Sequence, residues 1–373
     1  MPKRKVLFLF AHLHKGGMQK AVSNISTALP DQFEQYVGFF GTENPGFSYN
    51  AVMHNFNLPP VNSTGIFRKT KNAINRILAI RRFVKNEKID VVVSFGELAN
   101  IYSLISKHAA KKIITSRVSL LESMTGSERY RRMYLFLIRR LYPAADSAVA
   151  VSEALAKDMR EATNNEVQVR AIPNLYHIEE IKRLANEPLS DNYSFLHQGR
   201  FILNVGSLCH QKAQDDLLKV FALVHENDKD IFLVIIGQGE WREKLSSQTE
   251  ALGLSDKTVF IDFDLNPYRY MAKAAVFALT SRFEGFPNVL VEAMICNTPV
   301  VAFDCPTGPA EILGENSQFG FLIKNRSIVA AADRISQLLY DRTLHQNMIG
   351  IGHARAEYYS KSNVISSWIG VLH

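Results

Sequence analysis

Two carboxylates with a short Gly/Pro loop between them form the stretch of this chain that is best suited to chemistry. Seven residues separate Glu284 from Glu292, and the loop Gly285-Phe286-Pro287-Asn288 enters an apolar segment, Val289–Met294. That segment predicts the start of a helix, whose first N–H groups lack intrahelical partners and attract phosphate. Glu292, one turn in, can accept hydrogen bonds from sugar hydroxyls beyond that phosphate. The stretch therefore predicts a nucleoside diphosphate sugar site. Its donor-binding candidates, besides the two glutamates, are Phe286, Pro287, Asn288, Val289 and Leu290.

Glycines after other apolar runs allow the same close approach of backbone to ligand. Gly16-Gly17 precedes a helical pattern, so it either faces a phosphate or sugar or simply forms a tight turn. Gly206-Ser207 leads to Lys212, whose ammonium can neutralise a diphosphate leaving group, although a single lysine is usually solvated. Gly237-Gln238-Gly239 lacks the third glycine of a dinucleotide fingerprint and indicates a shaped loop more than a dehydrogenase.

Arg117 and the metal-binding residue types complete the list of chemical candidates. Arg117 follows a predicted strand and could contact a donor phosphate or an anionic acceptor, or pair with a surface carboxylate. No Asp-x-Asp cluster is identified as a divalent-ion site, so protein cations are expected to replace a metal, and no pair of carboxylates is placed for a double displacement. Three cysteines, Cys209, Cys296 and Cys305, lack metal-ligand spacing and fit a reducing cytosol.

Short apolar runs alternate with longer helical patterns, which predicts parallel sheets covered by helices on both faces. The predicted strands are Val6–Phe10, Tyr36–Phe40, Val91–Ser94, Lys112–Thr115, Ala148–Val151, Val167–Ile172, Phe201–Val205, Phe232–Ile236, Val259–Ile261, Val276–Leu279 and Pro299–Phe303. The predicted helices include Gln19–Leu29, Lys71–Asn86, Glu128–Tyr142, Gln214–Glu226, Trp241–Leu252 and Ile328–Leu339.

The pattern restarts after a polar stretch, Asn186–Arg200, which predicts two doubly wound α/β domains facing each other across a cleft. Residues 1–185 are expected to form an N-terminal, acceptor-binding Rossmann-like domain, and residues 186–355 a C-terminal domain that binds the nucleotide sugar. Residues 356–373 are expected to form a helix that crosses back to the first domain.

The net charge of +7 indicates an anionic partner. No nucleic-acid module is visible, and no apolar run approaches the roughly 18 residues of a membrane span. An anionic inner-leaflet surface is the better candidate, which predicts a cytoplasmic protein at the periphery of the inner membrane. A basic amphipathic segment within Glu128–Tyr142 supplies the expected membrane contacts, although a core-facing helix with a solvated basic face is the alternative. These contacts are Arg129, Arg131, Arg132, Arg139 and Arg140.

Taken in order, these motifs resemble the retaining glycosyltransferases of family 4, which have the GT-B fold. The resemblance covers nearly the whole chain and is most specific over Phe283–Leu313. It implies that Gly16-Gly17 and Lys212 face the donor diphosphate, with backbone amides around Val289. It also implies that Glu284 contacts the donor sugar, Glu292 the ribose, and Asp262-Phe263 the base.

Three residues depart from the family pattern. Ser207 stands where an arginine is common, so one bidentate phosphate contact is lost. Ala213 replaces the glycine that often follows the lysine, and Arg117 occupies a position that is histidine in many members.

The sequence therefore predicts a retaining, metal-independent hexosyltransferase with a UDP-hexose or UDP-N-acetylhexosamine as donor. Glu284, Lys212 and Arg117 are its candidate catalytic residues. The expected acceptor is a lipid-linked or cell-surface saccharide of lipopolysaccharide, O-antigen or capsule assembly, held by loops such as Phe39–Tyr49 and Ser94–Asn100. The alternatives are an inactive peripheral membrane protein that binds nucleotide sugars and a nucleotide-sugar epimerase.

Overall fold

A computed structural model describes residues 2–13, 16–41, 46–58, 66–118, 128–189, 191–198 and 200–373. The chain forms two compact α/β units. The first comprises Met1–Tyr176 with Lys361–His373, and the second comprises His177–Ser360.

The described part of the first unit contains a seven-stranded parallel sheet flanked by helices. Its strands are β1 (Arg4–Phe10), β2 (Phe33–Phe39), β3 (Val52–Asn55), β4 (Val91–Phe95), β5 (Lys111–Ser116), β6 (Ser147–Ala150) and β7 (Val169–Ala171). Its helices are α1 (Gly17–Ala28), α2 (Ile66–Glu87), α3 (Glu97–Ile105), α4 (Glu128–Leu141), α5 (Glu153–Ala162) and, at the end of the chain, α14 (Lys361–Leu372). The strand order is β3-β2-β1-β4-β5-β6-β7.

The second unit has a six-stranded parallel sheet in the order β10-β9-β8-β11-β12-β13, again within the described residues. Its strands are β8 (Phe201–Val205), β9 (Phe232–Ile236), β10 (Thr258–Ile261), β11 (Val276–Leu279), β12 (Val300–Asp304) and β13 (Phe321–Lys324). Its helices are α6 (Ile178–Ala185), α7 (Gln214–Asn227), α8 (Arg242–Ala251), α9 (Tyr268–Met271), α10 (Asn288–Ile295), α11 (Pro309–Leu313), α12 (Ile328–Tyr340) and α13 (Arg342–Tyr358).

Both sheets reverse their strand order at one point. This point lies between β1 and β4 in the first unit and between β8 and β11 in the second. In open α/β sheets, ligands bind beyond the carboxyl ends of the two strands on either side of such a reversal. The loops after β8 and β11, which contain Lys212 and Glu284, therefore lie where a ligand is expected.

Each core consists of apolar side chains from the strands and from the helices that cover them. Val6, Phe8 and Phe10 of β1 are buried together with Trp368 of α14. The rings of Trp368 and Phe95 are 6.5 Å apart. The final helix therefore completes the core of the first unit, although most of the second unit precedes it in sequence.

The predicted strands and helices are all present, and the two compact units divide the chain at slightly different residues from the predicted domains. The predicted first domain ends at residue 185, whereas the first unit ends at Tyr176 and α6 belongs to the second unit. The reason is that α6 packs against α9, and Asn266 Nδ2 donates to the Leu184 carbonyl at 3.0 Å. The chain returns to the first unit at Lys361, not at residue 356.

Candidate active site

Lys212 and Glu284 are in direct contact in the second unit. Lys212 Nζ lies 2.6 Å from Glu284 Oε1, and the lysine side chain is 21% exposed while the glutamate is 6% exposed. Neighbouring parallel strands deliver both residues, since β8 leads to Lys212 and β11 leads to Glu284. A partly exposed ammonium beside a buried carboxylate can bind an anion while the carboxylate accepts hydrogen bonds from hydroxyl groups.

The Glu284 carboxylate and its backbone are both held by neighbours. Ser281 Oγ donates to Glu284 Oε1 at 2.6 Å. The Glu284 N–H donates to the Pro306 carbonyl at 3.2 Å, and Thr307 Oγ1 donates to the Glu284 carbonyl. The loop after β12 therefore supports the loop after β11, and both loops lie within Phe283–Leu313, where the family resemblance is most specific.

Glycine is required at one position in that supporting loop. Gly308 has φ +93°, and a Cβ there would lie 2.6 Å from Pro287 Cδ and 3.1 Å from the Gly285 carbonyl oxygen. Any side chain would push against the loop that precedes α10.

The helix predicted after Pro287 begins at Asn288, as α10. The Leu290 N–H donates to the Pro287 carbonyl at 3.0 Å, so this N–H group already has one acceptor within the chain. Val289 lies in the first turn, where helix geometry provides no intrahelical acceptor for an N–H group. Phe286 is buried and packs edge-on against Tyr359, which anchors the loop before α10.

Glu292 is oriented by a buried tyrosine, Tyr268, whose segment Asn266-Pro-Tyr268 contributes to the family resemblance but whose role the sequence did not indicate. Tyr268 Oη donates to Glu292 Oε1 at 3.3 Å, and both residues are buried. Burial, together with the Glu292 charge, raises the pKa of Tyr268 well above its usual value. The phenol therefore keeps its proton and holds one oxygen of the Glu292 carboxylate. Glu292 itself lies in α10, just after the loop that contains Gly285.

The glycines after β8 and β9 form one packed layer. The Leu208 N–H donates to the Gln238 carbonyl at 2.9 Å, and the Gly206 N–H donates to the Ile236 carbonyl at 3.0 Å. A Cβ on Gly237 would lie 2.0 Å from the Gly206 carbonyl oxygen, and the methylene groups of Lys212 run past Gly206. This loop therefore shapes the surroundings of Lys212.

The remaining donor candidates of the second unit lie at the same carboxyl edge of the sheet. Ser207 is exposed, and its carbonyl accepts from Gln214 Nε2 at 3.0 Å. Asp262 is exposed and Phe263 is 43% exposed after β10, two strands away from β8. The structure thus places them at the same carboxyl edge of the sheet as Lys212.

Asp262-Phe263-Asp264 is an Asp-x-Asp spacing that the sequence reasoning overlooked. Its second carboxylate is engaged, because Asp264 Oδ2 lies 2.6 Å from Arg269 Nη2 and Asp264 Oδ1 accepts from the Asn266 N–H. The described residues contain no cluster of three or more His, Cys, Asp or Glu side chains placed to hold a metal ion.

Gly16, Gly17 and Arg117 belong to the first unit. Gly16 caps α1 after β1, with an extended φ of −151°, so its backbone angles do not require glycine. Arg117 follows β5 and is buried; it donates to Asn174 Oδ1, and its guanidinium lies 5.3 Å from the Phe95 ring centroid. Burial lowers the pKa of Arg117 to about 10. Arg117 Nη2 is buried and has no hydrogen-bond partner among the described residues. Because the side chain is buried, the interpretation of Arg117 as one half of a surface ion pair is wrong.

The basic amphipathic segment of the sequence is α4. Its exposed residues include both basic and large apolar side chains: Arg132, Met133, Phe136, Leu137, Arg139 and Arg140. The side chains of Arg129 and Arg131 lie outside the described part of the chain. Ile138 is fully buried, so one side of α4 faces the core. Among the described helices, none is both long enough and apolar enough to cross a bilayer.

Two of the three cysteines, Cys296 and Cys305, are buried. Burial raises the pKa of the Cys296 and Cys305 thiols, with smaller contributions from the charges of Glu292 and Glu284 respectively. A buried protonated thiol is a weak nucleophile, so the surroundings of these two cysteines do not favour nucleophilic chemistry.

Two family models match the chain in succession. "Glycosyltransferase Family 4" matches residues 15–180, and "Glycosyl transferases group 1" matches residues 187–355. Their junction lies close to the division between the two units.

Two relatives come from Campylobacter jejuni. One is N-acetylgalactosamine-N,N'-diacetylbacillosaminyl-diphospho-undecaprenol 4-alpha-N-acetylgalactosaminyltransferase, 28% identical over 77% of this chain and 77% of the relative. The other is GalNAc-alpha-(1->4)-GalNAc-alpha-(1->3)-diNAcBac-PP-undecaprenol alpha-1,4-N-acetyl-D-galactosaminyltransferase, 23% identical over 99% of this chain and 98% of the relative.

The fold is shared with solved structures. Alr3699/HepE of Anabaena, crystallised in complex with UDP, superimposes with a TM-score of 0.79 at 20% identity, covering 99% of each chain. With two Rossmann-like units of parallel sheet, two successive family models and transferases as relatives, this chain belongs to glycosyltransferase family 4 and has the GT-B fold.

Proposed function

We propose that this glycosyltransferase moves a hexose or N-acetylhexosamine from a UDP-sugar to a hydroxyl of a lipid-linked or cell-surface saccharide, with retention at the anomeric carbon. The contact between Lys212 and Glu284 beside the start of α10 carries the proposal. Two further observations support it: the Campylobacter jejuni relatives are named for transfer to undecaprenol-linked saccharides, and the Anabaena neighbour was crystallised with UDP.

Charge development on the leaving diphosphate is the step that the second unit can assist. As the bond from the anomeric carbon to the phosphate oxygen breaks, negative charge grows on the diphosphate. The Lys212 ammonium and the first N–H groups of α10 are preorganised to stabilise that charge. In the proposed mechanism the acceptor oxygen attacks from the same face, and its proton passes to the departing phosphate oxygen.

The two glutamates have separate roles in this proposal. Glu284, next to the lysine, accepts hydrogen bonds from hydroxyls of the transferred sugar. Glu292, oriented by Tyr268, accepts them from the ribose. Retention is supported by the resemblance of the ordered motifs, and by the pairing of each glutamate with its own donor instead of with the other.

A donor screen tests the proposal. Purified protein is incubated with UDP-hexoses and UDP-N-acetylhexosamines, alone and with undecaprenol-linked saccharides; released UDP is measured and the product anomer is read by NMR. We expect acceptor-dependent UDP release and a product with the donor's anomeric configuration. UDP binding without turnover would identify an inactive binding protein, an isomerised sugar without acceptor would identify an epimerase, and an inverted product would contradict retention.

We also propose that transfer needs no metal, with Lys212 neutralising the diphosphate. Activity is then expected to survive EDTA treatment followed by desalting. A loss of activity that is restored by Mg²⁺ or Mn²⁺ would contradict this part of the proposal.

The acceptor chemistry supports a location at an anionic inner-leaflet surface. Exposed Met133, Phe136 and Leu137 alternate with exposed arginines on α4, a composition that suits the headgroup region. We infer that α4 contacts the membrane while the second unit binds the donor.

A further inference from the structure

The loop after β8 and the loop after β11 are tied together by a set of hydrogen bonds next to the candidate active site. The Arg282 N–H donates to the Gln211 carbonyl at 2.8 Å, and Gln211 Nε2 donates to the Phe283 carbonyl at 3.0 Å. Lys212 and Glu284 are the next residues along each loop. Their separation therefore depends on this junction.

The Arg282 side chain adds further hydrogen bonds to this junction, and none of them involves Lys212 or Glu284. Arg282 Nη2 lies 3.0 and 3.1 Å from the two oxygens of Asp215, and Arg282 Nη1 donates to the His210 carbonyl at 2.6 Å. One guanidinium thus contacts the carboxylate at the start of α7 and the backbone just before Lys212. The pair is largely screened from solvent, with Arg282 16% exposed and Asp215 15% exposed.

The charges around Arg282 favour this arrangement. Asp216 is 1% exposed and lies 3.6 Å from Arg282, 3.3 Å from Arg326 and 2.9 Å from Lys219. Burial opposes ionisation of Asp215, but the hydrogen bonds and charge of Arg282, with Lys244, lower its pKa below the usual value. Arg282 is therefore committed to carboxylates and backbone, and it does not replace the phosphate-binding arginine missing at Ser207.

We propose that Arg282 is a positioning residue that sets the distance between Lys212 and Glu284 by joining the two loops through Asp215 and the His210 carbonyl. This inference rests on the proposed function, because it assumes that Lys212 and Glu284 act on one nucleotide-sugar donor. An arginine is needed because its planar fork reaches two acceptors with fixed geometry, which a lysine ammonium does not.

UDP binding measured by calorimetry tests the assignment. We expect Arg282→Gln to weaken UDP binding about tenfold in otherwise wild-type protein. In a Lys212→Ala background the same substitution should change UDP affinity little, because the effects of two residues that act through one another on affinity are not additive. Arg282→Lys is expected to recover little of the loss. Arg200→Gln is the matched control, because Arg200 also pairs with an aspartate, Asp228, but lies before β8 at the opposite edge of the sheet.

The outcomes separate this inference from the proposed function. A wild-type protein that does not bind UDP contradicts the proposed donor. Wild-type binding that Arg282→Gln leaves unchanged, or weakens equally in the Lys212→Ala background, overturns the positioning role. If Arg282→Gln does not fold, Asp215→Asn replaces it: unchanged UDP affinity in that variant overturns the role, and an affinity loss that disappears with Lys212→Ala supports it.

Discussion

Lys212 and Glu284 lie 72 positions apart in the sequence, yet their charged atoms are 2.6 Å apart. Both were predicted from the sequence, because each follows an apolar run typical of a buried strand in an alternating α/β pattern. Their contact could not be predicted, since it depends on β8 and β11 being neighbours in the sheet. A buried carboxylate beside a partly exposed ammonium can accept hydroxyl hydrogen bonds next to a bound anion.

Removing the charge of Glu284 while keeping its shape tests that role. We expect Glu284→Gln to lower kcat/KM for the sugar donor by about a hundredfold, because a neutral amide is a weaker acceptor for sugar hydroxyls. Affinity for UDP, which lacks the sugar, should change much less. Steady-state kinetics and UDP titration measure the two effects.

Glu187→Gln is the matched control for that change. Glu187 also accepts a side-chain hydrogen bond, from Asn266 Nδ2 at 2.8 Å, but it lies outside the two loops. Equal losses of activity in Glu284→Gln and Glu187→Gln would contradict a role for Glu284 in binding the sugar.

The roles of other residues of the site could not be predicted from the sequence. Tyr268 belongs to the segment Asn266-Pro-Tyr268 that contributes to the family resemblance, and Arg282 looks like an ordinary basic residue, but their partners, Glu292 and Asp215, are brought near only by the fold. Asp215 is 67 positions from Arg282, and no local pattern joins them. Residues that act through another side chain are therefore the part of the site that sequence reasoning misses.

Because of His108, we expect the free energy of unfolding of the first unit to decrease in acid. It is 6% exposed, and its Nε2 lies 3.2 Å from Ser103 Oγ. Burial, and secondarily the charge of Lys112, lowers its pKa to about 4. Because the unfolded chain binds the proton more tightly, this contribution to stability is complete above about pH 6.5 and is lost as the pH falls toward 4.

Urea unfolding at two pH values measures that contribution. Between about pH 7.5 and about pH 5, wild type should lose about 2 kcal/mol more unfolding free energy than His108→Gln, which has no titrating group at this position. The same pH dependence in both proteins would show that His108 is not responsible.

At the scale of elements, the strands that carry the site were the most predictable part of the fold. Central strands such as β8 and β9 are buried on both faces, so they form continuous apolar runs. The strands β3 and β13 were missed because each has only four residues, and the apolar run in β3 stops at His54 and Asn55. Neither of these two strands leads to a candidate donor residue, whereas the edge strand β10 leads to Asp262 and Phe263.

The glycine loop after β9 packs against the loop after β8, so a substitution in the first loop is expected to displace the second. Gly237 has φ +152°, and an added Cβ would lie 2.0 Å from the Gly206 carbonyl oxygen. Gly237→Ala should therefore displace the loop that leads to Lys212. We expect a clear loss of UDP affinity together with only a small decrease in the melting temperature. Paired calorimetric titration and thermal unfolding measure both quantities.

Gly253 offers the control for backbone strain alone. It also has a positive φ, +68°, but no atom lies within 4 Å of an added Cβ. Gly253→Ala should cost about 1 kcal/mol of stability and leave UDP affinity unchanged. Loss of UDP affinity in Gly253→Ala, or none in Gly237→Ala, would contradict the proposed coupling between the two loops.

At the scale of the whole molecule, the two units divide the predicted functions between them. The candidate donor residues that contact one another all belong to the second unit, whereas α4 and its exposed arginines belong to the first. Sequence alternation predicted two domains, because each series of strands restarts with its own apolar run. The exact division could not be predicted, since α6 is assigned by its packing on α9 and α14 by burial of Trp368.

Membrane contact by α4 is a prediction about the whole molecule and its net charge of +7. Flotation with vesicles of neutral and anionic phospholipid should decrease as salt is added, because screening weakens attraction to the anionic surface. Arg139→Gln with Arg140→Gln should weaken binding by about 2 kcal/mol, roughly 30-fold in partitioning. Phe136→Ser should weaken membrane binding at every salt concentration, because Phe136 is 66% exposed and would insert its ring among the headgroups.

Arg334→Gln with Arg342→Gln removes the same charge as the α4 pair, but from exposed helices of the second unit, and should leave flotation nearly unchanged. If both arginine pairs lower flotation equally, net charge alone drives binding and α4 is not the contact.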